Sequence, residues 1–168
     1  MKSFLIKNTD KTVSVAYCVS KNKIEEGLKV PTDSMSDEDY NNFLIKKTIP
    51  SDAVSYREIN TELIPADREF RNAWCDALPG QQIDIDLEKA KALKLDELRA
   101  ERNKRLSFLD SEYLQKMEAG EDLTQIKAKR QKLRDATNAL KALDVASQYN
   151  DKAKLDLIKQ LSNDKVLD

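Results

Sequence analysis

The chain has 168 residues, with 29 Lys+Arg against 30 Asp+Glu, a net charge of -1 and no histidine. That balance gives no general pull toward nucleic acid or an anionic membrane, and the missing histidine removes the commonest general base and metal ligand. Hydrophobic residues make up 40%, charged residues 35% and aromatics 6%, so a thin core under much solvated helix surface is expected, in one domain or two small lobes.

The opening MKSFLIKNTDK has its apolar run only from Phe4 to Ile6. It does not read as a signal peptide, and no stretch approaches the ~18 apolar residues of a membrane span. Residues 1–20 then alternate in the strand manner: Phe4 and Ile6, a polar turn over Asn8–Lys11, and Val13, Val15 and Tyr17 on one face. This predicts a β-hairpin. Residues 21–33 are polar and irregular. Ser36 precedes Asp37, Glu38 and Asp39, an N-cap with acids in the first turn. Tyr40, Phe43 and Leu44 follow at i, i+3, i+4, so a short helix ending near Lys47 is expected. Pro50 forces an extended exit, and 54–59 reads as a strand that adds to the hairpin. Residues 1–62 form a small α+β lobe on this reading.

Residues 63–85 contain PADREFRNAWCD at 65–76, which holds the only Trp of the chain. Asp67 can cap a short helical pattern, Phe70 and Trp74 are i,i+4, and Ala73 allows close approach beside them. Arg68 and Arg71 form a separate edge, and Asp67 can pair with Arg71. The expectation is a helical clasp that wedges Phe70 and Trp74 between the two lobes. An exposed Trp/Arg hot spot for a partner, carried by Arg68, Phe70, Arg71 and Trp74, is the alternative. Leu78-Pro79-Gly80 reads as a turn, followed by a short extended piece.

Residues 86–168 read as helical. Asp86 is placed as an N-cap, and no Gly or Pro interrupts 87–118. That span predicts one helix of about 48 Å at ~1.5 Å per residue. Its stripe is Leu95, Leu98, Leu106, Leu109, Tyr113 and Met117, with Arg102 in the gap. Gly120 is a natural left-handed C-cap and Asp122 can cap the next helix. Leu123, Ile126, Leu133 and Leu140 mark the facing seam, with Arg130 and Thr137 between them. The two seams describe an antiparallel helical hairpin, and a final helix near 151–161 carries Leu157, Ile158 and Leu161. Such a hairpin buries little alone, so it gains stability from the first lobe, from self-association as a homo-oligomer, or from a large partner.

Few residues suggest chemistry. The three glycines, Gly27, Gly80 and Gly120, stand too far apart for a phosphate loop. Cys18 and Cys75 show no CxxC pair and read as reduced, partly buried thiols, with a disulfide or reactive thiol as the alternative. A reducing compartment follows from that reading. Asp84/Asp86, Glu97/Glu101 and Asp110/Glu112 read as solvated acids rather than a catalytic or metal pair. Arg99, Arg102, Lys104 and Arg105 are interleaved with acids. Lys127, Lys129, Arg130, Lys132 and Arg134 form a cleaner basic patch, read as a solvated face, with a protein partner or nucleic acid as alternatives. No catalytic, cofactor or metal residue is assigned.

Several stretches follow a recognisable order. Val30-Pro31 and Ile49-Pro50 precede PADREFRNAW at 65–74 and IDIDLEKAKAL at 83–93. LRAERNKRLSFLDSEYLQKMEAGE at 98–121 and RQKLRDATN at 130–138 complete it. Over residues 28–160 the chain resembles small proteins of tailed bacteriophages and prophages encoded among tail or fibre genes. Those proteins carry P-x-D-R-x-F-R-x-A-W, then R-x-x-R-x-x-x-L-x-x-L-D on a long helix and Q-x-L-R-D on the next. The helical half is also similar to phage tail assembly chaperones, with Asp110-Ser111 where those proteins have D-W. The resemblance implies a non-enzymatic virion structural protein of the tail, fibre or connector region, with other phage structural proteins as partners. The alternatives are an assembly chaperone absent from the particle and a nucleic-acid-binding regulatory module. The implied location is the virion, or the host cytoplasm during assembly.

Overall fold

The computed structural model describes residues 3–18, 35–76, 82–146 and 149–167. The expected irregular stretch at 21–33, the Leu78-Pro79-Gly80 turn, Gly27 and the Val30-Pro31 pair lie outside the described residues. The fold is α+β, and the chain divides into two compact units, Met1–Asp84 and Ile85–Asp168.

The first unit is built on β1 (Ser3–Lys7) and β2 (Val13–Tyr17), antiparallel, with Ser3 opposite Tyr17 and Lys7 opposite Val13. The connection folds on its own polar groups, because Asp10 Oδ1 accepts from the Thr12 amide at 2.9 Å and Asn8 N–H donates to Thr12 O at 2.9 Å. α1 (Asp37–Thr48) follows, with the Ser36 hydroxyl accepting from Asp39 N–H at 3.0 Å. Tyr40 is its buried residue, while Phe43 and Leu44 are half-buried. Ile49 leaves the helix extended ahead of Pro50, where the proline ring disfavours helical backbone in the residue before it.

β3 (Ser55–Ile59) pairs antiparallel with β1, giving the order β2-β1-β3. The central strand is the one with an almost continuous apolar run, and Phe4, Leu5 and Ile6 are all buried. Alternation therefore fails in β1, as expected for a strand covered on both faces. Tyr56 meets Phe4 edge to face at 6.1 Å.

The second unit opens with the Asp86 carboxylate accepting from Lys89 N–H at 3.0 Å. It caps α2, which runs unbroken from Leu87 to Glu118. Gly120, at φ +68, ends it. The Glu121 amide donates to Lys116 O at 2.9 Å and the Gly120 amide to Met117 O at 3.2 Å, the paired bonds of a Schellman cap. α3 (Thr124–Asp135) then starts where Asp122 Oδ1 accepts from Thr124 N–H at 2.9 Å.

The second seam is not one helix. α3 stops at Asp135, Ala136 and Thr137 form a turn, and α4 covers Asn138–Ala142. No Gly or Pro marks this break. It carries Thr137 and Leu140 to zero exposure, so packing overrides local propensity here. α5 (Lys152–Leu161) is capped by Asp151 and buries Ile158. Two lysines tie the loops between these helices. Lys91 Nζ donates to the carbonyls of Lys141 and Leu143 at 2.7 and 2.6 Å. Lys154 Nζ donates to Asp144 O at 2.8 Å. Lys91 thereby brings a cation to carbonyls at the C-terminal end of α4, which the helix leaves unpaired.

Candidate functional site

The segment with Phe70 and Trp74 differs from the expected helix. Asp67 does act locally, with Oδ1 accepting from Glu69 N–H at 2.9 Å. Beyond it the bonds run i to i+3: Arg71 N–H to Arg68 O at 3.0 Å and Ala73 N–H to Phe70 O at 2.8 Å. They form a single 3-10 turn, Arg71–Ala73, and Trp74 is already extended in β4 (Trp74–Cys75), which pairs with β5 (Asp84–Ile85). The two rings therefore do not share a helix face. The physical reason lies just downstream, where the Asp76 carboxylate grips Arg57 of β3. Nη2 lies 2.7 Å from Oδ1 and Nε 3.3 Å from both oxygens. A fork of this kind fixes an extended strand end in a way that a continuing helix could not match.

Phe70 and Trp74 are 3% and 2% exposed, and Ala73 is fully buried between them in sequence. They present no ring to solvent. The Trp74 indole N–H has no hydrogen-bond acceptor among the described residues. Arg68 and Arg71 are exposed, and Arg68 Nη2 donates to the Tyr17 hydroxyl at 3.2 Å. Cys18 is buried, Cys75 half-buried, and neither is in a disulfide. Asp84 is buried rather than solvated. Among the described residues no group of three His, Cys, Asp or Glu side chains is placed to hold a metal ion, and no described helix is long and apolar enough to cross a membrane.

The hairpin seam is graded along its length. Leu95 and Leu98 are buried, Leu106, Leu109 and Tyr113 are half-buried, and Met117 is exposed. On the facing side Leu123 is half-buried and Ile126, Leu133 and Leu140 are buried. Arg130 fills the missing apolar position. It pairs with Asp110 at 2.6 Å and lies 4.7 Å over the Tyr113 ring, a cation–π contact reinforced by charge. The LD of the first helical motif and the R of RQKLRD thus meet each other. Their spacing serves to lock one helix to the next.

That lock divides the basic patch. Arg130 turns inward, while Lys129 and Lys132 line a groove of about 480 Å³ with Lys104, Arg105, Phe108, Leu109, Leu133 and Leu167. Phe108 is 74% exposed, the most exposed large apolar side chain among the described residues. Lys104 and Arg105 share Glu101, at 3.3 and 3.5 Å. Lys129 and Lys132 make no ion pair among the described residues. Sequence reasoning noted all four cations but missed Phe108, which sits one position off the stripe beside Leu109. Its signal was there: Lys104 and Arg105 are at i-4 and i-3 from it, so a lone aromatic shares its face with two cations.

The inter-helix turn holds two perturbed groups. Hydrogen bonds from the Thr124 hydroxyl, and then from its amide, hold the Asp122 carboxyl below the usual carboxylate range. The hydrogen bond from Lys116 to Glu121, 2.7 Å long, raises the Lys116 ammonium above its ordinary value. No family model matches the chain, and neither a curated protein nor a solved structure matches it.

Proposed function

We propose that this chain is a non-enzymatic bacteriophage protein of the tail, fibre or connector region, acting through protein–protein contacts made by its helical hairpin. The observation that carries the contact reading is the uncovered arm: from Leu106 to Glu118 no residue of α2 is buried, and Phe108, Leu114 and Met117 stand exposed. An arm with half-covered seam residues and an exposed aromatic is suited to meeting another surface. The phage context rests on the resemblance at 65–74, 98–121 and 130–138. The lack of histidine and of a glycine-rich loop supports a binding role over catalysis.

Mass spectrometry of purified virions from a phage encoding the chain tests this reading. Stoichiometric presence is expected of a structural component. A second reading, an assembly chaperone that leaves before completion, rests on the similarity of the helical half to phage tail assembly chaperones. Absence from virions together with co-purification with an unassembled tail or fibre protein would establish that reading and overturn the first.

A further inference from the structure

We infer that the groove between α2 and α3 is a docking site for an acidic amphipathic helix of a protein partner. The groove has an apolar floor, Leu109 and Leu133 with Leu167 from the C-terminal turn, and two basic rails, Lys104 and Arg105 on α2 and Lys129 and Lys132 on α3. Among the described residues no Asp or Glu lines it. Glu101 partly neutralises the first rail. The second rail is left without ion pairs among the described residues. Phe108 stands on the rim at 74% exposure, a rigid apolar anchor with nothing described covering it. A helix laid along such a groove sets its apolar i, i+3/i+4, i+7 side chains on the floor and its acids against the rails. That arrangement pairs charges while desolvating Phe108.

Other occupants fit less well. A phosphate backbone would satisfy the lysines but leave Phe108 and the leucine floor unused, and the chain's net charge of -1 supplies no long-range attraction. A second copy of this chain offers poor ligands: α3 and α5 are basic, with sequences TQIKAKRQKLRD and KAKLDLIKQL. The acidic α1 has already buried Tyr40 and half-buried its Phe43 and Leu44.

This inference rests on the reading of the chain as a protein-binding component, and its test needs no phage. The probe is a set of synthetic helical peptides with Leu or Phe at i, i+3, i+4, i+7 and Glu on the flanks. The controls are the Lys-for-Glu counterparts, scrambled Glu peptides and a short duplex DNA. The full chain, isotope-labelled, is titrated with each. The Glu peptides are expected to shift the amide resonances of Phe108, Lys129 and Lys132 and to weaken several-fold as salt rises from about 0.05 M to about 0.5 M. Phe108→Ala, and separately Lys129→Glu with Lys132→Glu, should each weaken binding about tenfold or more. These side chains are exposed, and an unchanged circular dichroism spectrum confirms that the fold persists. No shift with any Glu peptide overturns the proposal. So does DNA binding through the same residues, and so does a sedimenting dimer that Phe108→Ala dissolves. Failure here while virions contain the protein removes the groove and leaves the structural role intact. Peptide binding with the protein absent from virions does the reverse.

Discussion

Both ends of α2 carry an apolar face at helical spacing, and they reach different states. At the proximal end Leu87, Ala90, Leu95 and Leu98 are buried, and Lys91 reaches across to the carbonyls of Lys141 and Leu143. At the distal end Leu106, Leu109 and Tyr113 are half-covered, and Arg130 of α3 ties the helices together through Asp110 and Tyr113. Periodicity decides which side of a helix is apolar. The amount of structure laid against that side decides how much of it becomes core. The distal stripe is therefore left as surface that another molecule can complete.

Paired truncations probe that difference most strongly. Leu98→Ala should cost about 3 kcal/mol in denaturant unfolding, the usual range for a leucine removed from a packed site. Leu106→Ala should cost about 1 kcal/mol, because less of its side chain leaves water on folding. Equal losses would show that the distal arm is packed like the proximal core, and the contrast would fall.

The fold was readable in the sequence wherever a single residue type forces the geometry. Asp86 as N-cap, the unbroken 87–118 span, Gly120 and Ser36 all follow from local physics. Less was readable wherever two geometries share one spacing. Four residues from Phe70 to Trp74 suit a helix, yet they also suit a 3-10 turn running into a strand. The choice was made by the ion pair between Arg57 and Asp76, nineteen residues apart. The break at Ala136–Thr137 has no local signal either, since its cause is burial. The groove shows the same limit: its cations were visible along each helix, but the face they share with Phe108 depends on how α2 and α3 align.

Lys91→Met tests whether the proximal end is clamped or simply packed. The methionine keeps the apolar stem and deletes both charge-assisted bonds, so a loss of about 2 kcal/mol is expected. Amide exchange near Leu143 should speed up while that of Ile126 does not. A neutral result would mean that apolar packing alone closes this end.

Thr137→Val should move stability the other way. Thr137 has no exposed surface, and its hydroxyl has no partner among the described residues. Valine keeps the branched shape and removes a buried polar atom. A gain of about 1 kcal/mol is expected from the relieved desolvation. A loss would indicate that the hydroxyl is bonded in solution, most simply to a buried water.

The smallest effect belongs to the turn at the far end of the hairpin, where order comes from exposed polar contacts and not from core. Asp122 has a lowered carboxyl pKa in the folded state, caused first by the Thr124 hydroxyl and then by the Thr124 amide. Its contribution is present above the ordinary carboxylate pKa of about 3.9 and is lost as pH falls through the lowered value. Lys116, raised by Glu121, contributes below the ordinary lysine value and loses that contribution as pH rises through the raised one. Acid should therefore shift the amide signals of Thr124 and Gln125 and leave those of Leu98 and Leu140 in place, because both groups are surface ones and their effect stays local. Asp122→Asn keeps an acceptor for the Thr124 amide, so the helix should still start there, but the acid limb should vanish. If Asp122 titrates at the ordinary carboxylate value, or if Leu140 moves with it, the turn is not acting as an independent cap. The two ends of α2 would then be coupled through α3, and the division between core and surface along this helix would have to be redrawn.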